Sequence, residues 1–90
     1  MIEDIKGYKP HTDEKINTVN LIKDAENALG AILDDLDKKY SEAYATGGGL
    51  AYEVLDNLLE RGHQIRIAKD RLKEASMWAC RAVFQPEEKY

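Results

Sequence analysis

Apolar residues recur every three to four positions along two long stretches of the chain, on either side of a run of glycines. The spacing holds from Ile16 to Ala43 in the first stretch and from Leu50 to Val83 in the second. Such a repeat gathers apolar side chains on one face of an α-helix. The glycines at 47–49 supply a turn. The pattern predicts an all-α chain with a long antiparallel two-helix hairpin.

Local signals predict where each helix begins and ends. Thr12 is a good N-cap residue and Pro86 stops a helix, because proline has no N–H to donate. We therefore expect the first helix at about 12–45 and the second at about 50–85. Residues 1–11 have no helical period and are expected to form an N-terminal arm. The 90 residues indicate one helical domain.

A hairpin of this length predicts an assembly of several chains. Helices of about 33 and 37 residues are roughly 50 Å long, whereas a compact chain of this size has a diameter of only about 30 Å. Two helices bury one seam, and soluble monomers rarely leave large apolar patches in water. Several large apolar residues lie off that seam: Leu21, Leu59, Ile67, Met77, Trp78 and Phe84. We expect a homo-oligomer.

The composition favours a cytosolic protein with small or protein partners. The chain has 17 acidic and 13 basic residues, and this negative balance argues against binding of long nucleic acid. No segment is apolar enough to span a membrane or to act as a secretory signal. The one cysteine, Cys80, has no intrachain disulfide partner and is expected to be a small buried residue.

A basic strip on the second helix is a candidate anion site. Arg66, Lys69 and Lys73 stand at helical spacing on one face, in a segment with five basic residues and a single acid between Arg61 and Lys73. Such a strip suits a small anion. A solvated helix face also explains it, and the strip alone favours that simpler interpretation.

The sequence does not favour an enzyme. The two histidines and one cysteine lack the spacing of a metal site. Asp34, Asp35 and Asp37 cluster, but neighbouring acids on a helix point in different directions, so we expect a solvated face. The glycines at 47–49 lack the Lys-Ser/Thr of a phosphate-binding loop. We predict no catalytic residue, no metal and no cofactor.

The N-terminal arm contains the other candidate site. Tyr8 stands between Lys6 and Lys9 on a segment that Gly7 and Pro10 keep out of a helix. An exposed tyrosine can stack on a base while flanking ammonium groups meet phosphate. Tyr8 could equally have a structural role, closing the hairpin or a groove of a neighbouring chain.

Both ends of the chain resemble a known phage family. The segments MIEDIKGYKPHT at 1–12 and KEASMWACRAVFQPEEKY at 73–90 are similar to the ends of the anti-CBASS type 2 sponges of T-even-type phages. The resemblance extends through IKDA at 22–25 to about residue 33, whereas 38–64 is divergent. These sponges sequester the cyclic oligonucleotide signals of the bacterial CBASS defence system without cleaving them.

The resemblance implies a homohexamer in the cytoplasm of the infected host, with ligands between chains. It implies that Tyr8 stacks on a base of cyclic dinucleotides such as 3′,3′-cyclic GMP–AMP, and that Lys23 meets their phosphate. A second kind of pocket takes cyclic trinucleotides such as cyclic tri-AMP, with Arg66 or Lys69 as its basic residue. The rival hypothesis is a helical oligomeric protein-interaction adaptor with no nucleotide ligand.

Overall fold

The fold is an antiparallel helical hairpin. The computed structural model describes residues 11–87, in which α1 spans Asp13–Ala45 and α2 spans Tyr52–Phe84, each of 33 residues. The two helices pack along one another after a short connection. The predicted all-α hairpin is confirmed, and each observed helix end lies within two residues of the expected one.

Both helices have identifiable caps, but of different quality. Thr12 Oγ1 accepts a hydrogen bond from the Lys15 backbone N–H at 3.2 Å, which satisfies one free donor at the start of α1. Ala51 precedes α2 and makes no side-chain cap bond. α2 ends at Gln85, which adopts a left-handed conformation with φ 48° and donates its N–H to Arg81 O at 2.6 Å.

The turn depends on one glycine in particular. A Cβ at Gly47 would lie 2.9 Å from Leu50 Cδ1 and 3.0 Å from the carbonyl oxygen of Ala43. The Leu50 methyl is the end of a flexible side chain and can move away, whereas the Ala43 oxygen is backbone, at a distance tighter than nearly all real Cβ contacts. Gly48, by contrast, has nothing within 4 Å of the corresponding position. The close packing of the turn therefore favours glycine at residue 47 over a residue with a side chain.

The hairpin buries very little apolar surface. It measures 61 × 28 × 20 Å with a radius of gyration of 19.5 Å, against about 12 Å for a compact chain of this length. Among the described residues, Leu33 is the only buried apolar one. Even the predicted seam is partly open, since Ile16 and Leu29 are exposed. The large off-seam residues confirmed as exposed are Leu21, Leu59, Ile67, Met77 and Trp78.

Two expectations about single residues were wrong. Phe84 is half-buried rather than uncovered, because its ring stacks on His11 with centroids 3.7 Å apart. This contact joins the start of α1 to the end of α2. Cys80 is half-buried rather than fully buried. No helix within residues 11–87 is long and apolar enough to cross a membrane.

Candidate functional site

The basic strip of α2 lies against acids of α1. Lys69 Nζ is 2.6 Å from Asp34 Oδ1 and 3.7 Å from Asp37 Oδ2, and Arg66 Nη2 is 3.9 Å from Asp37 Oδ1. Each helix contributes two residues three positions apart, so both pairs lie on the facing sides of the helices. The expected solvated acidic face was wrong for Asp37, whose side chain is only 24% exposed.

The ion pair keeps Lys69 charged. Its hydrogen bond to Asp34 raises the pKa of Lys69 above the ordinary 10.5 against the opposing effect of desolvation, and the charges of Asp34 and Asp37 add to the increase. A raised lysine pKa means that the folded state holds the proton more tightly, so this stabilisation is present at neutral pH. It is lost only as the pH rises through the folded pKa. Lys69 is therefore a cation at neutral pH.

A groove of about 420 Å³ opens beside this ion pair, between the two helices. Its floor includes Gly30, where a Cβ would lie 3.9 Å from Leu72 Cδ2, an ordinary contact. A close helix–helix approach within the hairpin therefore does not require Gly30. The charged lining comes from both helices and consists of Glu26, Asp34, Lys69 and Lys73.

A second polar link between the helices includes Glu26, which lines this groove. Ser76 Oγ donates a hydrogen bond to Glu26 Oε1, and Lys23 Nζ lies 3.5 Å from that same oxygen. The Ser76 bond is the main reason that the pKa of Glu26 falls below its ordinary 4.5, and Lys23 and Lys73 lower it further. The Lys23 side chain remains 54% exposed. Its ammonium group is thus held near the groove yet open to an anion.

Sequence comparison identifies the family to which this hairpin belongs. The Acb2/Tad1 hairpin domain matches residues 3–84, which include both helices and the turn. The chain belongs to the Acb2/Tad1 hairpin family. It is 61% identical over 90 residues to Anti-CBASS protein 2 of Enterobacteria phage T4, and the match covers the full length of both proteins. The family assignment made from the chain ends is thereby confirmed.

The structure places the predicted site residues of this Acb2/Tad1 chain unequally. Tyr8 lies outside the described residues. Lys69 lines the groove, whereas Lys23 is not part of its lining and contacts Glu26, which is. Arg66 contacts Asp37 but lines a different, smaller cavity of about 130 Å³ nearer the turn. The geometry therefore separates the two basic residues that the sequence left as alternatives.

Sequence reasoning missed Glu26, which lines the groove, and its hydrogen-bond partner Ser76. Ser76 follows Lys69 by seven residues, two helical turns, so its presence on the same face was available from spacing. Nothing in the sequence indicated that Glu26 would be its partner, because that depends on how the two helices align. Within residues 11–87 there is no group of three His, Cys, Asp or Glu side chains placed to hold a metal ion.

Proposed function

We propose that this chain is a phage anti-defence sponge that binds and sequesters cyclic di- and trinucleotide signals of CBASS immunity and does not cleave them. One observation carries the proposal, the 61% identity over the full length of both chains to a phage protein named Anti-CBASS protein 2. The exposed cation Lys23 and the charged groove beside Lys69 support it, because phosphate groups require such partners.

For cyclic dinucleotides, the proposed contacts are a stacking ring and a cation from each of two chains. Tyr8 would stack on a base and Lys23 would bind a phosphate. Stacking contributes about 1–3 kcal/mol per base, and a charge-assisted hydrogen bond about 1.5–3 kcal/mol. A pocket with two-fold symmetry would make each contact twice. The combined affinity would then be high enough to sequester the ligand at low concentration without cleaving it.

For cyclic trinucleotides, Lys69 is the better of the two basic candidates. Lys69 lines the larger groove together with Lys73, so two ammonium groups face one volume. Arg66 lies beside the smaller cavity, which also contains Tyr40 and Tyr44. A ligand with three phosphates, such as cyclic tri-AMP, gains more from the groove with two cations.

The proposed active form is a homohexamer, and the number of chains is the one that the family resemblance implies. The physical support is the small core, since Leu33 alone is buried among the apolar residues of 11–87. The exposed apolar residues on both helices are suited to contacts with other copies. Pockets between chains would then form only on assembly. We place this protein in the cytoplasm of the infected host, with neither a membrane nor long nucleic acid as partner.

Ligand recovery tests this function. The purified chain is mixed with 3′,3′-cyclic GMP–AMP or cyclic tri-AMP, separated from free ligand, and then heat-denatured. Release of intact ligand in stoichiometric amounts is expected for a sponge. Release of linear products would show an enzyme instead. If no cyclic nucleotide stays with the protein after this separation, the adaptor hypothesis is favoured. Trp78 and Met77 are 60% and 48% exposed and are available to contact another protein.

A further inference from the structure

The cation that faces the groove already has a counter-ion. One of the three ammonium N–H donors of Lys69 is directed at Asp34 Oδ1 at 2.6 Å. The Lys69 side chain is 31% exposed and that of Asp34 is 65% exposed. An anion entering the groove therefore meets a lysine whose charge is largely neutralised by a carboxylate from the opposite helix.

An anion that binds Lys69 either displaces this carboxylate or binds beside it. A phosphate oxygen offers Lys69 the same charge that Asp34 offers, so exchanging one for the other brings little gain. While Asp34 stays nearby, its charge also repels the phosphate. A small anion that contacts only Lys69 therefore binds with low affinity. A ligand with base contacts and a second phosphate on Lys73 has further sources of affinity.

We propose that Asp34 is a specificity-determining residue of this groove, acting as an internal competitor that keeps small anions off Lys69. The inference rests on the proposed function and deepens it. Asp34 lowers the affinity of every anion, and only ligands with additional contacts remain bound at low concentration. The acid therefore limits occupation of the site by phosphate compounds that are abundant in a cell.

Asp34 differs from its neighbours in ways that make it testable. Asp37 is more buried and is shared between Lys69 and Arg66, so its removal would disturb two contacts. Asp35 is exposed on the same helix turn and, among the ion pairs of the described residues, none joins it to Lys69. Asp35→Asn changes the net charge as Asp34→Asn does and leaves the ion pair intact. It is the matched control.

The experiment measures binding of inorganic tripolyphosphate and of cyclic tri-AMP by calorimetry at low salt. The proteins are wild type, Asp34→Asn, Asp35→Asn, Lys69→Gln and the double variant Asp34→Asn/Lys69→Gln. We expect Asp34→Asn to tighten tripolyphosphate binding roughly two- to fivefold, the range for a partly exposed ion pair. Asp35→Asn should have a clearly smaller effect, and Asp34→Asn should have a clearly smaller effect once Lys69 is absent, because only the repulsion by Asp34 is then removed.

Three results would overturn the inference: equal gains in Asp34→Asn and Asp35→Asn, weaker binding in Asp34→Asn, or an undiminished gain in the double variant. The inference would also be overturned if neither wild type nor Asp34→Asn bound tripolyphosphate. Tripolyphosphate contains no base, so its response is separate from the proposed function. If cyclic nucleotides fail to bind while tripolyphosphate behaves as expected, the sponge function is wrong and the role of Asp34 stands.

Discussion

Ser76 Oγ on α2 donates a 2.5 Å hydrogen bond to Glu26 Oε1 on α1. Among residues 11–87, Ser76 is the only buried polar side chain, at 4% exposure. Its acceptor oxygen also lies 3.5 Å from Lys23 Nζ. The bond thus fixes the relative position of the helices at the point where a phosphate-binding lysine is proposed.

The first prediction concerns the pH dependence of this bond. The pKa of Glu26 is lowered, so its stabilisation is present above its ordinary value of 4.5 and is lost as the pH falls through the lower folded value. Ser76→Ala should therefore unfold at lower urea concentration than wild type at about pH 6.5, and the difference should shrink at about pH 3. Urea titrations at both pH values measure this.

The control for Ser76 is Ser41→Ala, which removes an exposed hydroxyl that lies 3.4 Å from Asp37 within α1. It should change the urea midpoint only slightly at either pH. A Ser76→Ala deficit that is the same at both pH values would mean that the serine acts by packing and not through the Glu26 carboxylate.

The second prediction concerns the turn. Gly47→Ala places a methyl group 3.0 Å from the backbone oxygen of Ala43, which moves less easily than a side chain, so it should destabilise the fold by about 1–3 kcal/mol. Gly48→Ala should stay within about 0.5 kcal/mol of wild type, because the added methyl meets nothing within 4 Å. The test is to measure the free energy of unfolding of both variants and of wild type at equal protein concentration. Equal loss in both variants would show that backbone freedom, and not space, is what the turn needs.

The third prediction concerns the N-terminal arm. Tyr8→Ala should weaken the binding of 3′,3′-cyclic GMP–AMP by roughly 2–6 kcal/mol if two equivalent tyrosine rings stack on each ligand. Tyr52→Ala is the control, since Tyr52 is 87% exposed and lies beside the turn, at the far end of the hairpin from residue 11. Calorimetric titration of both folded variants gives the answer. Wild-type affinity in Tyr8→Ala would assign that tyrosine a purely structural role.

The fourth prediction separates the two basic residues of α2. Lys69→Glu should reduce cyclic tri-AMP affinity at least about tenfold, because it removes a phosphate contact and adds a carboxylate beside Asp34 and Asp37, while cyclic dinucleotide binding persists. Arg66→Glu makes the same change of charge beside the smaller cavity. It should have the weaker effect on cyclic tri-AMP. A larger effect from Arg66→Glu would move the trinucleotide site toward the turn.

The fifth prediction concerns assembly. Light scattering at micromolar protein should give about six times the chain mass of 10.2 kDa. Trp78→Glu places a charge on one of the most exposed apolar residues and should shift the protein toward smaller species. Lys38→Glu, at an exposed position that is already charged, serves as the control. A wild-type mass near that of one chain would contradict the hexamer and every pocket between chains.

Much of the fold was predictable because its signals are local. The apolar period defined both helices, Thr12 and Pro86 marked their limits, and the glycines at 47–49 marked the turn. These features depend on residues within a turn or two of each other. The sequence also predicted that Trp78 and similar residues would lie off the hairpin seam.

The site was less predictable because it depends on how two helices align. Nothing in the run of acids from Asp34 to Asp37 tells which one faces α2, and Asp37 proved to be the more enclosed. The pairing of Asp34 with Lys69 joins residues 35 positions apart, and spacing along one helix carries no such information. The same holds for Phe84, which the sequence predicts to be exposed and which is instead partly covered by the stacked ring of His11.

The stacking of His11 on Phe84 brings the entry and exit of the hairpin together, while Gly48 and Gly49 are exposed at its far end. Chain connectivity is therefore separable from helix packing. A circular permutant could connect the segment after Phe84 to His11 and open at Gly48, keeping both helices and the groove between them. In such a permutant α2 would precede α1 in the sequence, and the same packing would form from the opposite chain order.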